Sequence, residues 1–322
     1  MKRMLTLVLA GIGLFVGGSL EFAYAESGFE VPGPQLRPEI PLTLDESDIV
    51  FVPPQFYRTD GLAQVSVGGR HSCGLGFGGQ LVCWGDNQFG QATAPSGIFS
   101  AVSAGLRHTC ALTVDGEVVC FGDNRLGQSR APQGLFGQIS SGDGHSCALS
   151  LGGQASCWGD NSRGQSRAPS AATGFTQIAA GGAHSCALQT DGRALCWGSA
   201  GEGQTRAPSA SLSLIDAGRN HTCGLQINGQ AVCWGSNRDG QSRAPTATAF
   251  VSVSAGVVHT CGLALDGQAI CWGRDIEAAA PPEDDAFSRL SVGPEHSCAV
   301  TPAGHALCWG TLHGNDAAAE HR

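Results

Sequence analysis

One short unit recurs seven times in this chain of 322 residues: a histidine, a serine or threonine, and a cysteine, with a second cysteine ten residues after the first. Successive copies lie 37 to 39 residues apart, and together they account for all 14 cysteines. A small unit of this size cannot bury its hydrophobic face alone, so neighbouring copies must stack. The repeated histidines are residues 71, 108, 145, 184, 221, 259 and 296.

Within each copy, two apolar runs flank a turn dipeptide such as Asp115-Gly116 or Asn228-Gly229, which is a strong signal for a β-hairpin. A short apolar run precedes the hairpin, and a segment ending in Arg-Ala-Pro follows it in several copies. Four strands in about 40 residues favour a closed ring over an open solenoid. The sequence therefore predicts an all-β chain, a seven-bladed β-propeller of four-stranded antiparallel blades, over residues 62–312.

Aromatic residues follow the same repeat. All six tryptophans occupy one repeat position, and Phe121 fills it in the second copy. This regularity predicts packing between neighbouring blades, and the alternative is a surface on which ligands stack.

The stretch from Val102 to Gln128 reads Val-x-Ala-Gly-x-x-His-Thr-Cys-Ala-Leu-Thr-x-Asp-Gly-x-Val-x-Cys-Phe-Gly-Asp-Asn-x-x-Gly-Gln. It resembles the repeat of the regulator of chromosome condensation family, and the resemblance extends over about 250 of the 322 residues. The resemblance implies a seven-bladed propeller. It also implies one of three roles: nucleotide exchange on a small GTPase with chromatin binding, enzyme inhibition by a secreted bacterial propeller, or general scaffolding.

The two ends of the chain differ from the repeats. Residues 1–25 predict a signal peptide, because Lys2 and Arg3 precede an apolar stretch that ends at a small-residue cleavage site. Residues 26–61 form an acidic leader that contains prolines, and residues 313–322 a flexible tail. The seventh copy lacks the Arg-Ala-Pro segment, so we expect residues 48–53 to supply a strand that closes the ring.

The cysteine spacing places both side chains of a pair on the same face of adjacent strands, close enough for a disulfide. An even cysteine count in an exported chain agrees with this pairing. Free buried thiols and a metal site remain alternatives. The predicted disulfides are Cys73 with Cys83, Cys110 with Cys120, Cys147 with Cys157, Cys186 with Cys196, Cys223 with Cys233, Cys261 with Cys271, and Cys298 with Cys308.

No residue set in the sequence stands out as a nucleophile, base and acid that break the repeat, so the chain is not expected to be an enzyme. The seven histidines are interpreted as repeat structure, each with a ring nitrogen bonded to a neighbouring loop. Zinc ligation by His-x-Cys and the second cysteine is the alternative. The acidic groups at residues 45–48 and 283–285 could hold calcium, but solvated loop charge is the favoured interpretation. No metal or cofactor is predicted.

Two sets of arginines are candidates for binding. Arg70, Arg107 and Arg219 belong to the variable dipeptides just before the repeated histidines, which should line one rim. Arg130, Arg167, Arg206 and Arg243 occupy one repeat position on consecutive blades and would form an arc. Solvated arginine is the ordinary interpretation of the arc, and recognition of carboxylates is the alternative.

The formal net charge is −9, and the only lysine lies in the predicted signal peptide. Nucleic acid and membranes are therefore poor partners. The export signal and dense cysteines also exclude the cytosolic and nuclear exchange role. The sequence predicts a monomeric secreted or periplasmic scaffold whose rim loops bind a protein or cell-envelope ligand. The alternatives are a lyase or hydrolase with its site at the channel mouth, and a purely structural surface protein.

Overall fold

The computed structural model describes residues 61–170, 172–274 and 285–311. The predicted signal peptide, the closing strand at residues 48–53 and the tail at 313–322 lie outside these ranges. So do the acidic groups at 45–48 and 283–284, and the leader apart from Gly61.

The described residues form seven antiparallel sheets of three strands each, with the strands of every sheet in chain order. Sheets 1 to 4 are β1 (Leu62–Val67), β2 (His71–Gly76) and β3 (Leu81–Gly85); β4 (Phe99–Ala104), β5 (His108–Thr113) and β6 (Val118–Gly122); β7 (Phe136–Ser141), β8 (His145–Ser150) and β9 (Ala155–Gly159); β10 (Phe175–Ala180), β11 (His184–Gln189) and β12 (Ala194–Gly198). Sheets 5 to 7 are β13 (Leu212–Ala217), β14 (His221–Gln226) and β15 (Ala231–Gly235); β16 (Phe250–Ala255), β17 (His259–Ala264) and β18 (Ala269–Gly273); β19 (Arg289–Val292), β20 (His296–Val300) and β21 (Ala306–Gly310).

The prediction of four strands in each unit is wrong for the sheets that the structure describes. The segment after the third strand forms turns and extended chain without pairing in the ladder. In sheets 1 to 5 this segment carries a proline, for example Pro169 and Pro208, which has no N–H to donate to a neighbouring strand. The segment instead packs its alanines, such as Ala168 and Ala207, against the apolar residues between sheets.

The turn between the second and third strands is the predicted hairpin. Gly79 of the first sheet and Gly116 of the second have φ of 79° and 88°, a backbone conformation that glycine adopts without steric cost. Asp-Gly, Asn-Gly or Gly-Gly therefore marks six of the seven hairpins correctly, and the seventh turns at Ala303-Gly304.

The sheets follow one another around a closed ring. The first strand of each sheet contacts the first strand of the next, and β1 contacts β19, so these strands surround the axis. Side chains of one sheet cap main-chain N–H groups of its neighbour. The Ser66 hydroxyl accepts from the Ala104 N–H at 2.9 Å, and the Ser291 hydroxyl accepts from the Val67 N–H at 2.9 Å. Ring closure thus uses the same serine bond as four of the other six junctions. Between sheets 5 and 6 the Asp216 carboxylate accepts from the Ala255 N–H instead, and Ala179 stands at this position between sheets 4 and 5.

The hydrophobic core is divided among the junctions between sheets. Leu75 and Cys73 of sheet 1 pack against Phe99 and Val102 of sheet 2. Trp84 of sheet 1 packs against Cys298 of sheet 7, and Trp197 and Trp234 occupy equivalent places at later junctions. The aromatic repeat position is therefore core packing between neighbours, as predicted.

All 14 cysteines lie in the described residues, where they form seven disulfides with the predicted pairing and none is free. Cys73 and Cys83 are directly opposed across β2 and β3, and the other pairs have the same register. Disulfides of this kind persist in oxidising environments outside the cytosol.

Candidate binding face

The alternating strand directions give the ring two ends. The loops before the repeated histidines and the loops after the third strands lie at one end, which we call the histidine-loop face. These loops begin at residues 68, 105, 142, 181, 218, 256 and 293, and at residue 86 and its equivalents. The hairpins at 77–80 and their equivalents lie at the other end, the hairpin face.

The seven histidines connect the sheets directly beneath the histidine-loop face. Nε2 of each lies within hydrogen-bond distance of a serine or threonine hydroxyl on the next sheet. The pairs are His71 with Thr109 (2.8 Å), His108 with Ser146 (2.7 Å), His145 with Ser185 (2.8 Å), His184 with Thr222 (2.8 Å), His221 with Thr260 (2.7 Å), His259 with Ser297 (3.2 Å) and His296 with Ser72 (2.8 Å). The partner is a strand residue, whereas the sequence predicted a loop.

The hydrogen-bond directions assign the tautomer of His71. The Thr109 hydroxyl donates to the Gln91 carbonyl at 2.9 Å, so it accepts the proton carried by Nε2 of His71. Nδ1 of His71 is then an unprotonated acceptor, and it is buried without a hydrogen-bond partner among the described residues. The same relationship holds for His145 through Ser185, and for His221 through Thr260.

Burial lowers the pKa of these histidines far below the ordinary value of 6.5. The pKa falls to about 3 for His71, His184 and His221, and to about 4 for His108 and His145. Loss of hydration is the largest cause, because the charged imidazolium cannot be solvated there. These side chains are neutral near pH 7 and hold the sheets together as uncharged groups.

The axis at this face is narrow because glycines line it. A Cβ on Gly68 would overlap the His71 ring and the Gly105 carbonyl oxygen of the next sheet. Neighbouring loops are also bonded, for example by the Leu106 N–H to the Gly142 carbonyl at 3.2 Å. The cavity that remains is about 70 Å³ and is lined mainly by glycine and alanine. Typical ligand pockets are roughly 300–1,000 Å³, so this axial cavity by itself is smaller than a typical ligand pocket.

A larger cleft of about 490 Å³ lies beside the axis on the histidine-loop face. The three arginines predicted for this rim all line it: Arg70 from sheet 1, Arg107 from sheet 2 and Arg219 from sheet 5. All three are exposed. The other lining residues are Gly69, Asp86, Gln88, Phe89, Leu106, Pro294 and Glu295.

The three guanidinium groups have different partners. Arg107 lies over the Phe89 ring, 5.3 Å from its centroid, and forms no ion pair with a carboxylate in the part of the chain that the structure describes. Arg70 contacts Glu295 of sheet 7 at 3.5 Å. Arg219 contacts Asp143 of sheet 3 at 3.2 Å.

The Arg219 contact passes over sheet 4, and Gly182 makes room for it. A Cβ on Gly182 would lie 2.6 Å from the Arg219 carbonyl oxygen, 2.8 Å from its Cγ and 3.1 Å from Asp143 Oδ2. Burial raises the pKa of the Asp143 carboxyl, and the Arg219 charge lowers it in part. Asp143 is therefore a partly desolvated acid whose ionisation depends on Arg219.

The second set, Arg130, Arg167, Arg206 and Arg243, is exposed and does not line this cleft. In the ranges that the structure describes, none of the four forms an ion pair. Asp143 and Glu295 belong to the variable dipeptides predicted for this rim, although only the arginines were named as binding candidates, and Phe89 was not predicted. The repeat position of Phe89 varies from copy to copy, and this variation was a sequence signal for a binding loop. The equivalent residues in later copies are Leu126, Arg163, Glu202 and Asp239.

The hairpin face has a different character. Exposed apolar side chains occupy one repeat position just after the second strand, at Phe77, Val114, Leu151, Ile227 and Leu265. The two ends of the ring thus present arginine on one side and apolar side chains on the other.

Two further findings concern absences among the described residues. No group of three or more histidine, cysteine or acidic side chains is arranged there to hold a metal ion. No helix there is long and apolar enough to cross a membrane.

The closed ring of disulfide-bonded sheets defines a β-propeller of repeated blades. The Regulator of chromosome condensation (RCC1) repeat matches six segments, residues 62–91, 99–128, 138–165, 175–204, 213–241 and 250–275. These segments make up more than half of the chain, which therefore belongs to this repeat family. Sheet 7 repeats the architecture outside the six matched segments.

Solved structures with the same fold include two plant receptor ectodomains. The entire ectodomain of the Physcomitrella patens receptor kinase CR4 is 27% identical, with a TM-score of 0.68, and the match covers 81% of this chain and 77% of that one. The CRINKLY WD40 ectodomain of Arabidopsis thaliana receptor kinase ACR4 is 24% identical, with a TM-score of 0.68, and the match covers 80% of this chain and 98% of that one.

A third similar structure is Prp20p from Saccharomyces cerevisiae, studied for its binding to Gsp1p and histones. It is 19% identical, with a TM-score of 0.62 over 80% of this chain and 84% of that one. At this identity the likeness shows the fold alone. Comparison with curated proteins finds no match.

Proposed function

We propose that the chain is a secreted or periplasmic, non-catalytic scaffold whose histidine-loop face binds a protein or cell-envelope ligand. The observation that carries this proposal is the cleft where Arg70, Arg107 and Arg219, from three different sheets, meet on the face formed by the variable loops. Arginine concentrates binding energy at interfaces, and loops on a rigid scaffold vary without loss of the fold.

Three further points support a binding role. Seven disulfides suit an oxidising environment. Two structural neighbours are receptor ectodomains, and a third, Prp20p, has binding properties toward Gsp1p and histones. The net charge of −9 and the scarcity of lysine disfavour nucleic acid as the ligand.

The proposal can be tested by affinity capture from the native envelope or medium with four proteins. These are the wild type, the double variant Arg107→Ala and Arg219→Ala, the double variant Arg167→Ala and Arg206→Ala as control, and the double variant Leu151→Ser and Ile227→Ser for the hairpin face. We expect the first double variant to lose the captured protein by about tenfold or more, which is about 1.4 kcal/mol, without a change in melting temperature.

The controls decide between surfaces. Unchanged capture by the first double variant together with loss in the Arg167 and Arg206 variant would place the site on the outer arc. Loss only in the Leu151 and Ile227 variant would place it on the hairpin face. Either result would overturn the proposed face.

A further inference from the structure

Arg107 is the one cleft arginine that forms no ion pair among the described residues, although its charge helps to lower the pKa of nearby Asp123, whose carboxylate is bonded to Arg125. The Phe89 ring lies 5.3 Å from its central carbon, and the same ring lies 4.8 Å from that of Arg125. Arg125 is already bonded to Asp123 at 2.7 Å. Contact with an aromatic face orients a guanidinium group and leaves its N–H donors available.

The other two cleft arginines already have acidic partners. Arg70 and Glu295 are 3.5 Å apart, with side chains 57% and 35% exposed. Arg219 and Asp143 are 3.2 Å apart, with side chains 52% and 30% exposed. An exposed pair such as Arg70–Glu295 contributes only about 0–1 kcal/mol, so an incoming carboxylate can replace Glu295 at little cost. Asp143 is partly desolvated and needs the Arg219 charge, so that pair is harder to replace.

The surroundings of Arg107 select against extended polyanions. Asp86 and Glu295 line the same cleft and would repel the successive charges of a phosphate-rich or sulfated polymer. Leu106, Pro294 and Phe89 give the cleft apolar walls beside the arginines. A single carboxylate next to an apolar group matches this pattern, and a volume of about 490 Å³ accommodates a few side chains.

We propose that the cleft binds an acidic segment of a partner protein, with an aspartate or glutamate carboxylate accepting paired hydrogen bonds from Arg107 and an adjacent apolar side chain against Leu106 and Pro294. This inference rests on the proposed function, because it names the chemistry of the ligand at the same face. Arginine suits the task because its planar donors match both carboxylate oxygens.

A random peptide library displayed on phage supplies the probe. The library is selected on the purified full chain, and the strongest peptide is synthesised for direct measurement of its Kd. We expect selected peptides to share an aspartate or glutamate beside an apolar residue. Replacing that acid by its amide should weaken binding about tenfold or more, as should Arg107→Ala. Arg107→Lys should also weaken it, since lysine keeps the charge but loses the paired donors.

Arg163→Ala is the matched control, because Arg163 is exposed, lies outside the cleft and belongs to neither candidate set, and it should leave the Kd unchanged. Arg107 is itself exposed, so its variants should fold, which a melting curve verifies. Selected peptides without acidic residues would overturn the inference, as would acidic peptides that bind Arg107→Ala normally or are displaced equally well by heparin.

The same data separate this inference from the proposed function. Peptides without acids that still lose affinity in Arg107→Ala would refute the ligand chemistry and leave the binding face in place. Peptides of any composition that bind normally to both Arg107→Ala and Arg219→Ala would refute the binding face.

Discussion

Ser72 Oγ and His296 Nε2 lie 2.8 Å apart although 224 residues separate them in sequence. The bond joins sheet 1 to sheet 7 and completes a circle of seven histidine–hydroxyl bonds, one at each junction. A contact between the two ends of the repeat array has a larger sequence separation than any other bond in this circle. It is nevertheless chemically the same as its six counterparts.

Removing this hydroxyl tests whether the closing junction contributes as much as an internal one. We expect Ser72→Ala to lower the free energy of unfolding by about 1–3 kcal/mol, because a buried hydrogen bond between sheets is lost. Ser146→Ala removes the equivalent bond to His108 and should cost a similar amount. Denaturant unfolding with the disulfides intact provides the measurement.

Ser170→Ala is the control for this pair, since Ser170 is exposed. It should change stability by less than about 0.5 kcal/mol. A loss for Ser146→Ala with none for Ser72→Ala would mean that the closing junction does not add to the stability of the ring.

The buried histidines predict a loss of stability in mild acid. Their pKa is about 3 to 4 in the folded chain and near 6.5 when unfolded. Between these values the unfolded chain binds more protons, so stability falls as the pH drops below about 6.5, by up to about 1.4 kcal/mol per pH unit for each histidine. Above that range the histidines contribute no pH dependence.

Denaturant unfolding at several pH values from about 7 to about 4.5 measures this slope. Asp143 and Asp216 have the opposite effect on stability at lower pH. Burial raises the pKa of both carboxyls in the folded chain, so their protonation stabilises the fold as the pH falls. In His145→Asn the free energy of unfolding should depend less steeply on pH, by the contribution of one proton, because asparagine does not titrate. If the free energy of unfolding stayed constant over this pH range, the histidines could not be buried as neutral side chains.

Close packing at the axis predicts a severe effect from one methyl group. Gly181→Ala places its Cβ against the Gly218 carbonyl oxygen and the His184 ring. We expect a loss of about 1–3 kcal/mol or more, because backbone on the next sheet must move. Gly201→Ala is the matched control, with nothing within 4 Å of its added Cβ, and it should be neutral or stabilising by about 0.4–1 kcal/mol. Equal melting temperatures for the two variants would refute the steric argument.

The repeat made most of the fold predictable. Disulfide pairing, hairpin positions and the packing of tryptophans between sheets follow from residues that recur at one register. The fourth strand was predicted from segment length, and the proline in Arg-Ala-Pro, which cannot donate to a ladder, should have argued against it. The strand proposed at residues 48–53 stays a prediction, since it lies outside the described residues.

The cleft was predictable only in part. Arg70, Arg107 and Arg219 were assigned to one rim because they occupy the variable dipeptides before the histidines. Which of them meet, and with which acids, depends on distances across the ring that no single repeat encodes. The pairing of Arg219 with Asp143, two sheets away, requires the small Gly182 in between. The binding roles of both arginine sets stay predictions.

The Arg219–Asp143 pair predicts a measurable change at one carboxyl. Burial raises the pKa of Asp143, and the Arg219 charge opposes that rise. In Arg219→Ala only the burial effect is left, so the Asp143 pKa should increase further. Carbon NMR of the aspartate carboxyls during a pH titration follows this group directly.

Arg107→Ala is the control for that measurement, because Arg107 stacks on Phe89 and has no ion pair with Asp143 in the described structure. In Arg107→Ala the pKa of Asp143 should equal its value in the wild type. Gly182→Ala should shift the Asp143 pKa in the same direction as Arg219→Ala, since its Cβ would displace the Arg219 side chain. If the Asp143 pKa were the same in the wild type and in Arg219→Ala, the two side chains would not be paired in solution. The cleft would then hold two arginines without ion-pair partners instead of one, and its preference for a single carboxylate would weaken.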